Sequence, residues 1–244
     1  MYKLLDLFCG AGGISKGYVD AGFEVVGVDN VPQPHYPYTF IQADALEYLD
    51  SADLSQFSAI HASPPCQSYS STRHFPNVNK DLAPKLILPV RERLEKIGLP
   101  WVIENVAGSK MPDALILCGS MFGLQVRRHR WFSCSHLLFA PGACQHTKCF
   151  YNVVGEKTRG YGAYASTTIY LDKDGRPHKR EGYYKLAVGQ EAMGIPWMNF
   201  KELSQAIPPK YSEWIGKQLM NIIEVERTSW YADNKLALGR KISD

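Results

Sequence analysis

Short apolar runs that end in glycine, proline or acidic residues mark out the first half of the chain. Residues 3–8 form an apolar strand pattern that leads into Cys9-Gly10-Ala11-Gly12-Gly13. Residues 14–21 have helical spacing, Gly22 closes them, and residues 24–28 form a second apolar strand ending at Asp29. Strand, glycine loop, helix, strand and acidic residue make the βαβ order of a nucleotide-binding fold. The proline-rich 32–38 must be loop; 40–42 is a short strand leading to Asp44, and 45–49 is helical. A fourth strand over 57–62 ends at Pro64-Pro65, and the polar stretch 68–81 reads as a loop. Residues 84–97 have helical periodicity, and a fifth strand over 99–103 ends at Glu104. Residues 114–123 lead to the basic cluster Arg127-Arg128-His129-Arg130 and a strand through Trp131-Phe132.

From 133 to 183 the long apolar periodicity disappears, and cysteine, histidine, glycine and tyrosine rise. Helical patterns return over 185–193 and 209–225, and 226–244 reads as a tail. The expected fold class is α/β: a Rossmann-like sheet with helices on both faces, plus a small irregular insert. Its parts are a catalytic, cofactor-binding domain (1–132 and 184–225), the insert (133–183) and the tail (226–244).

Composition narrows the class without deciding it. The chain has 244 residues, 45% hydrophobic and 21% charged, as in an ordinary globular domain. No apolar run reaches the roughly 18–20 residues of a membrane span, and no secretory leader pattern opens the chain. Six scattered cysteines do not make a disulfide scaffold, so a cytoplasmic location is expected. A net charge of +3 permits a nucleic-acid partner without arguing for one.

The chemistry gathers at the strand ends. Gly10, Gly12 and Gly13 let a ligand approach the backbone at a helix N-terminus. Asp29 suits ribose hydroxyls and Asp44 an adenine amino group; both also suit plain capping of the strand ends. Cys66 follows two prolines beyond a strand end, among polar residues, where a thiolate can serve as nucleophile. Cys9 reads as a packing residue. Glu104, after an apolar run, is placed at the same edge, where desolvation raises a carboxyl pKa and makes it a proton donor. Asn105 is placed to fix the neighbouring loop. Arg128 and Arg130 alternate, so both face one side of a strand and can hold a base oxygen or a phosphate.

These motifs, in this order, resemble the DNA cytosine-5 methyltransferase family. The matching segments are Asp6 to Gly13, Pro64-Pro65-Cys66-Gln67, Glu104-Asn105-Val106 and Arg128-His129-Arg130, with partial matches near Lys185 to Pro196 and Ser204 to Pro209. The resemblance implies S-adenosylmethionine as cofactor, held by Asp6, Phe8, Cys9, Gly10, Ala11, Gly12, Gly13, Asp29, Asn30, Asp44, Ala45 and Pro64. It implies a cytosine flipped out of double-stranded DNA, attacked at carbon 6 by Cys66, protonated or hydrogen-bonded at nitrogen 3 by Glu104, and held by Arg130 and Arg128. Gln67, Ser68, Arg73, His74 and Arg127 would contact the nucleic acid. A bacterial or phage setting, a restriction-modification role and a monomer go with the resemblance. A binding-only relative, an enzyme with a modified donor that adds a larger group, and an RNA substrate remain as alternatives.

Three departures stand out. Val126 replaces a usual glutamine, and Ser204-Gln205 replaces a usual Gly-Asn. The variable segment that selects the target in this family is only about 50 residues here, which suggests a short or relaxed target sequence. Inside it, Cys134, His136, Cys144, His146 and Cys149 are candidate ligands of a structural zinc, which a small insert lacking a core would need.

Overall fold

The computed structural model describes residues 1–66, 85–109, 111–146, 165–171, 177–183 and 186–240, with the backbone alone for 165–171, 177–183 and 230–240. Gln67, Ser68, Arg73, His74 and Cys149 lie outside the described residues. A seven-stranded sheet is built from β1 (Lys3–Leu7), β2 (Glu24–Asp29), β3 (Thr39–Gln42), β4 (Ala59–Ala62), β5 (Trp101–Asn105), β6 (Leu115–Leu117) and β7 (Arg130–Cys134). Its order is β3-β2-β1-β4-β5-β7-β6. The first five strands are parallel, and β7 runs antiparallel to both β5 and β6.

The parallel strands are covered on both faces, which is why β1, β2, β4 and β5 read as nearly unbroken apolar runs. Alternate residues divide between the two layers. Leu4 packs with Ile14 and Tyr18 of α1 (Gly13–Ala21) and with Tyr211 and Ile215 of α6 (Pro209–Arg240). Leu5 and Leu7 pack with Leu49 of α2 (Ala45–Ser51) and with Val90 and Leu94 of α3 (Ile87–Ile97). The two helices on the first face touch through Gly17: a Cβ there would stand 2.0 Å from the Pro209 carbonyl oxygen. The Ser212 hydroxyl donates to the Ile14 carbonyl at 2.8 Å across the same contact.

A third apolar cluster joins Ala11 and Val126 to Met193 of α4 (Leu186–Met193) and Leu203 of α5 (Phe200–Gln205). Val126, the residue in place of the usual glutamine, is fully buried there. The architecture is the expected Rossmann-like α/β sheet with helices on both faces.

Three elements differ from the sequence reading. The segment 133–183 contains an antiparallel pair, β8 (Ala165–Leu171) and β9 (Pro177–Tyr183). Helix α6 does not stop near 225 but continues through the expected tail to Arg240. The short α5 was not expected; a capping box between Asn199 and Glu202 starts it.

Candidate active site

The strand order reverses between β1 and β4, so the cleft beyond their carboxyl ends is where a doubly wound sheet takes its ligand. The turn after β1 carries the glycine loop, and the turn after β4 carries Ser63-Pro64-Pro65-Cys66. Register places Leu7 beside Ala62 and Ala62 beside Ile103, so Glu104 follows at the same edge.

The glycine loop is held open by its backbone. Gly10 and Gly12 have φ of 49° and 87°, and Phe8 takes a φ of 57°, which is unfavourable for an aromatic residue and typical of a functional turn. Asp29 accepts from the amides of Gly10 and Val31, both at 3.0 Å, so it fastens the loop from β2. Asn30 beside it is exposed and gives its carbonyl to Gln42 at 3.3 Å. Asp44 caps α2, its Oδ1 accepting from the amides of Leu46 and Glu47 at 2.8 and 3.1 Å, with Ala45 buried next to it. For Asp29 and Asp44, capping is thus part of the role, whatever ligand they also meet. Cys9 is buried and its thiol is pushed up by burial, as fits a packing residue.

Asp6 is fully buried, and burial pushes its carboxyl up to about 7 despite a hydrogen bond from the Ser15 hydroxyl. Its Oδ1 has no hydrogen-bond partner among the described residues. A glycine-lined backbone, an acidic residue on β2 and an orphaned buried acceptor on β1 fit a polar nucleoside cofactor with a cationic group.

Across the cleft edge, Arg130 Nε stands 3.0 Å from Glu104 Oε1. Glu104 is 6% exposed; burial raises its pKa, and Arg130, Ser63 and Arg128 oppose the rise. Cys66 is half-buried; burial and Glu104 raise its pKa, while Arg130 and Arg128 lower it. These four residues therefore act on one another's charge. Asn105 donates from Nδ2 to the Pro64 carbonyl at 2.8 Å, tying the end of β5 to the turn that bears Cys66. Arg128 is buried, with its pKa drawn down to about 9, chiefly by desolvation; its Nη2 donates to the Ser204 carbonyl at 2.7 Å. Tyr211 on α6 donates to the Arg128 carbonyl at 2.6 Å. Arg127 is exposed.

Several contributors were invisible to the motif reading. Buried His61 on β4 is paired through Nδ1 with the Tyr18 hydroxyl at 2.9 Å and through Nε2 with the Ser63 hydroxyl at 3.0 Å. Burial drops its pKa to about 3, so the ring is neutral. The Tyr36 hydroxyl lies 2.8 Å from the Ser15 hydroxyl that serves Asp6, and Trp197 donates to the Ala11 carbonyl at 2.8 Å. No periodicity signals a tyrosine in a proline-rich loop or a tryptophan after a helix.

The proposed zinc ligands divide. Cys144 and His146 come together with Cys118 and His129, which were not among the candidates, and one ligand atom from each of the four lies within 4.8 Å of the others. Cys134 and His136 are not in that group: the Cys134 thiol contacts the Phe132 carbonyl, and His136 pairs with Glu226 at 2.9 Å.

Residues 2–115 match the family model for C-5 cytosine-specific DNA methylases. Type II methyltransferase M.AgeI of Thalassovita gelatinovora is 27% identical over 43% of this chain and 28% of its own length. Type II methyltransferase M.HgiDI of Herpetosiphon aurantiacus is 31% identical over 50% of this chain and 42% of its own. The chain thus spans less than half the length of these two relatives. Among solved structures, the Entamoeba histolytica methyltransferase EhMeth shares the fold, with a TM-score of 0.59 at 12% identity over 91% of this chain and 99% of that one. No helix among the described residues is long and apolar enough to cross a membrane. Residues 2–115, which carry the glycine loop, Cys66 and Glu104, are thus similar to the C-5 cytosine-specific DNA methylase family.

Proposed function

We propose that the chain transfers a methyl group from S-adenosylmethionine to carbon 5 of a cytosine flipped out of double-stranded DNA. The observation that carries this reading is the joint placement of Cys66, Glu104 and Arg130 at one cleft edge, across from the glycine loop.

Cys66 is the nucleophile: its sulfur bonds to ring carbon 6. Glu104, whose carboxyl is shifted by burial toward the protonated form, gives its proton to ring nitrogen 3, so the electron pair displaced by sulfur enters a cationic ring and leaves a neutral adduct. Arg130 faces both groups; its charge favours the thiolate and can hold the exocyclic oxygen of the base. Arg128, anchored on Ser204, adds positive charge to the same corner. Bound S-adenosylmethionine supplies an electrophilic methyl group. After transfer, loss of the carbon-5 proton to a base, elimination of the Cys66 thiolate and return of the nitrogen-3 proton to Glu104 restore an aromatic, methylated ring. Asn105 acts through Pro64 and holds the nucleophile's turn in register with Glu104. Asp6, Asp29 and the backbone of 8–13 form the cofactor cradle, with Asp44, Asn30 and Ala45 at its outer end. Exposed Arg127 would meet phosphate.

The test is nucleoside mass spectrometry of DNA from cells expressing the wild-type chain or Cys66→Ala. Methylcytosine in the wild type alone supports both the reaction and the nucleophile. Unmodified DNA in both sinks the reading. A heavier cytosine adduct keeps the attack by Cys66 and replaces the donor.

A further inference from the structure

The stretch Arg128-His129-Arg130 has two sides. Arg128 and Arg130 serve Ser204 and Glu104, while His129 between them turns to other partners. Its Nε2 lies 3.2 Å from the Cys144 thiol. The Cys118 thiol lies 3.4 Å from His146 Nε2, and the two imidazole rings meet edge to face with centroids 5.1 Å apart. The four ligand atoms lie within 4.8 Å of one another. A tetrahedral zinc with sulfur ligands at about 2.3 Å and nitrogen ligands at 2.0–2.1 Å has sulfur-to-nitrogen edges of about 3.5 Å. The two measured edges, 3.2 and 3.4 Å, are close to that span.

We infer that Cys118, His129, Cys144 and His146 form a tetrahedral Cys2His2 site for a structural zinc ion, which pins the start of the insert to the back of the arginine-bearing strand. The donors fit the metal: two soft thiolates and two imidazoles, without a carboxylate that would favour calcium or magnesium. They also come from separate segments. Cys118 follows β6, His129 precedes β7, and Cys144 and His146 belong to the stretch beyond β7. Residues 135–146 form no helix or strand, and Leu137 and Phe139 in it are exposed. Such a segment has little core of its own, and a metal supplies the missing cross-link. All four ligands are provided by the protein, so the site is closed and structural rather than catalytic. Two further contacts brace the sulfurs: the Ser120 hydroxyl lies 3.5 Å from the Cys118 thiol and 3.7 Å from the Cys144 thiol. The inference does not depend on the reaction proposed for the cleft.

The test is metal analysis of the full chain, purified under reducing conditions without chelator or affinity metal. The expected content is about one zinc per chain. Cys144→Ser and His146→Ala should each lose most of it, while Cys134→Ser, in a cysteine outside the group, keeps it. Replacing zinc by cobalt(II) should give the intense visible absorption of tetrahedral cobalt with thiolate ligands, weakened in Cys144→Ser. Cys144 and His146 both lie outside the buried core, and circular dichroism shows whether each variant keeps the fold. A metal-free wild type that gives no cobalt spectrum on reconstitution overturns the site. So does a Cys144→Ser chain that binds as the wild type does, or a Cys118–Cys144 disulfide in the freshly purified protein.

Discussion

Two polar clusters draw on opposite sides of the stretch 128–130 and are built in opposite ways. The Cys66–Glu104–Arg130 group stands on the ends of parallel strands whose buried faces leave little freedom: β4 and β5 are buried along their whole length. The Cys118–His129–Cys144–His146 group draws its members from strand flanks and a segment without regular structure. The first is preorganised by the core, so its charges are tuned by desolvation; the second has four donors converging with little core behind it. A reactive site needs a rigid scaffold under it, whereas a structural metal replaces one.

The difference can be broken open by substitution. Cys66→Ala should cost on the order of 10^4-fold or more in methyl transfer, because the bond-forming group is gone. Thermal stability and metal content should stay at wild-type values; a loss of zinc in this variant would show that the clusters are not separate. Glu104→Gln should lower kcat by about 10^2- to 10^4-fold, the usual contribution of a positioned acid. In the wild type, the protonated carboxyl is the active form. The kcat profile should therefore carry a limb that falls as pH rises through the upward-shifted pKa of Glu104, set against the rise from thiolate formation at Cys66, and the glutamine variant should lack the falling limb. Asn105→Ala removes the bond to Pro64 and should lower kcat about tenfold while leaving cofactor affinity nearly unchanged, as titration calorimetry would report.

Asp6 gives a stability prediction. Its folded pKa of about 7 lies above the ordinary value of 3.8, so the folded chain binds the proton more tightly than the unfolded chain. That contribution is complete below about pH 4 and is lost as pH rises to about 7. Asp6→Asn should flatten this part of the stability profile by a few kcal/mol in denaturant titrations at several pH values. The smallest effect is expected at exposed Arg127. Arg127→Ala should weaken DNA binding a few-fold and reduce the slope of log affinity against log salt by about one. A change in kcat at saturating DNA would instead bring Arg127 into the cleft.

The pairing of Cys66 with Glu104 was legible in the sequence because each follows an apolar run. Strand ends on one side of a parallel sheet meet, so Cys66 and Glu104 could be placed together from their spacing to the preceding strands. What was missed lacks such a signal. His61 sits inside β4 and looks like an interruption of an apolar strand; its two hydrogen-bond partners are what make it tolerable there. Tyr36 lies in a proline-rich loop, and its approach to Ser15 follows from where that loop folds back.

The metal cluster is the clearer case. Cysteine and histidine density in 133–183 pointed to a metal site and included two of the four residues that converge, Cys144 and His146. Cys118 lies outside that segment, and His129 was hidden between two arginines. The amino-acid sequence by itself determined the succession of strands and helices along the first half of the chain, the glycine loop and the candidate residues at the strand ends, because apolar periodicity and chain order dictate these locally. Only the tertiary structure decided that Cys134 and His136 stand apart while Cys118 and His129 join Cys144 and His146, because an antiparallel return through β7 brings together segments whose spacing carries no trace of it.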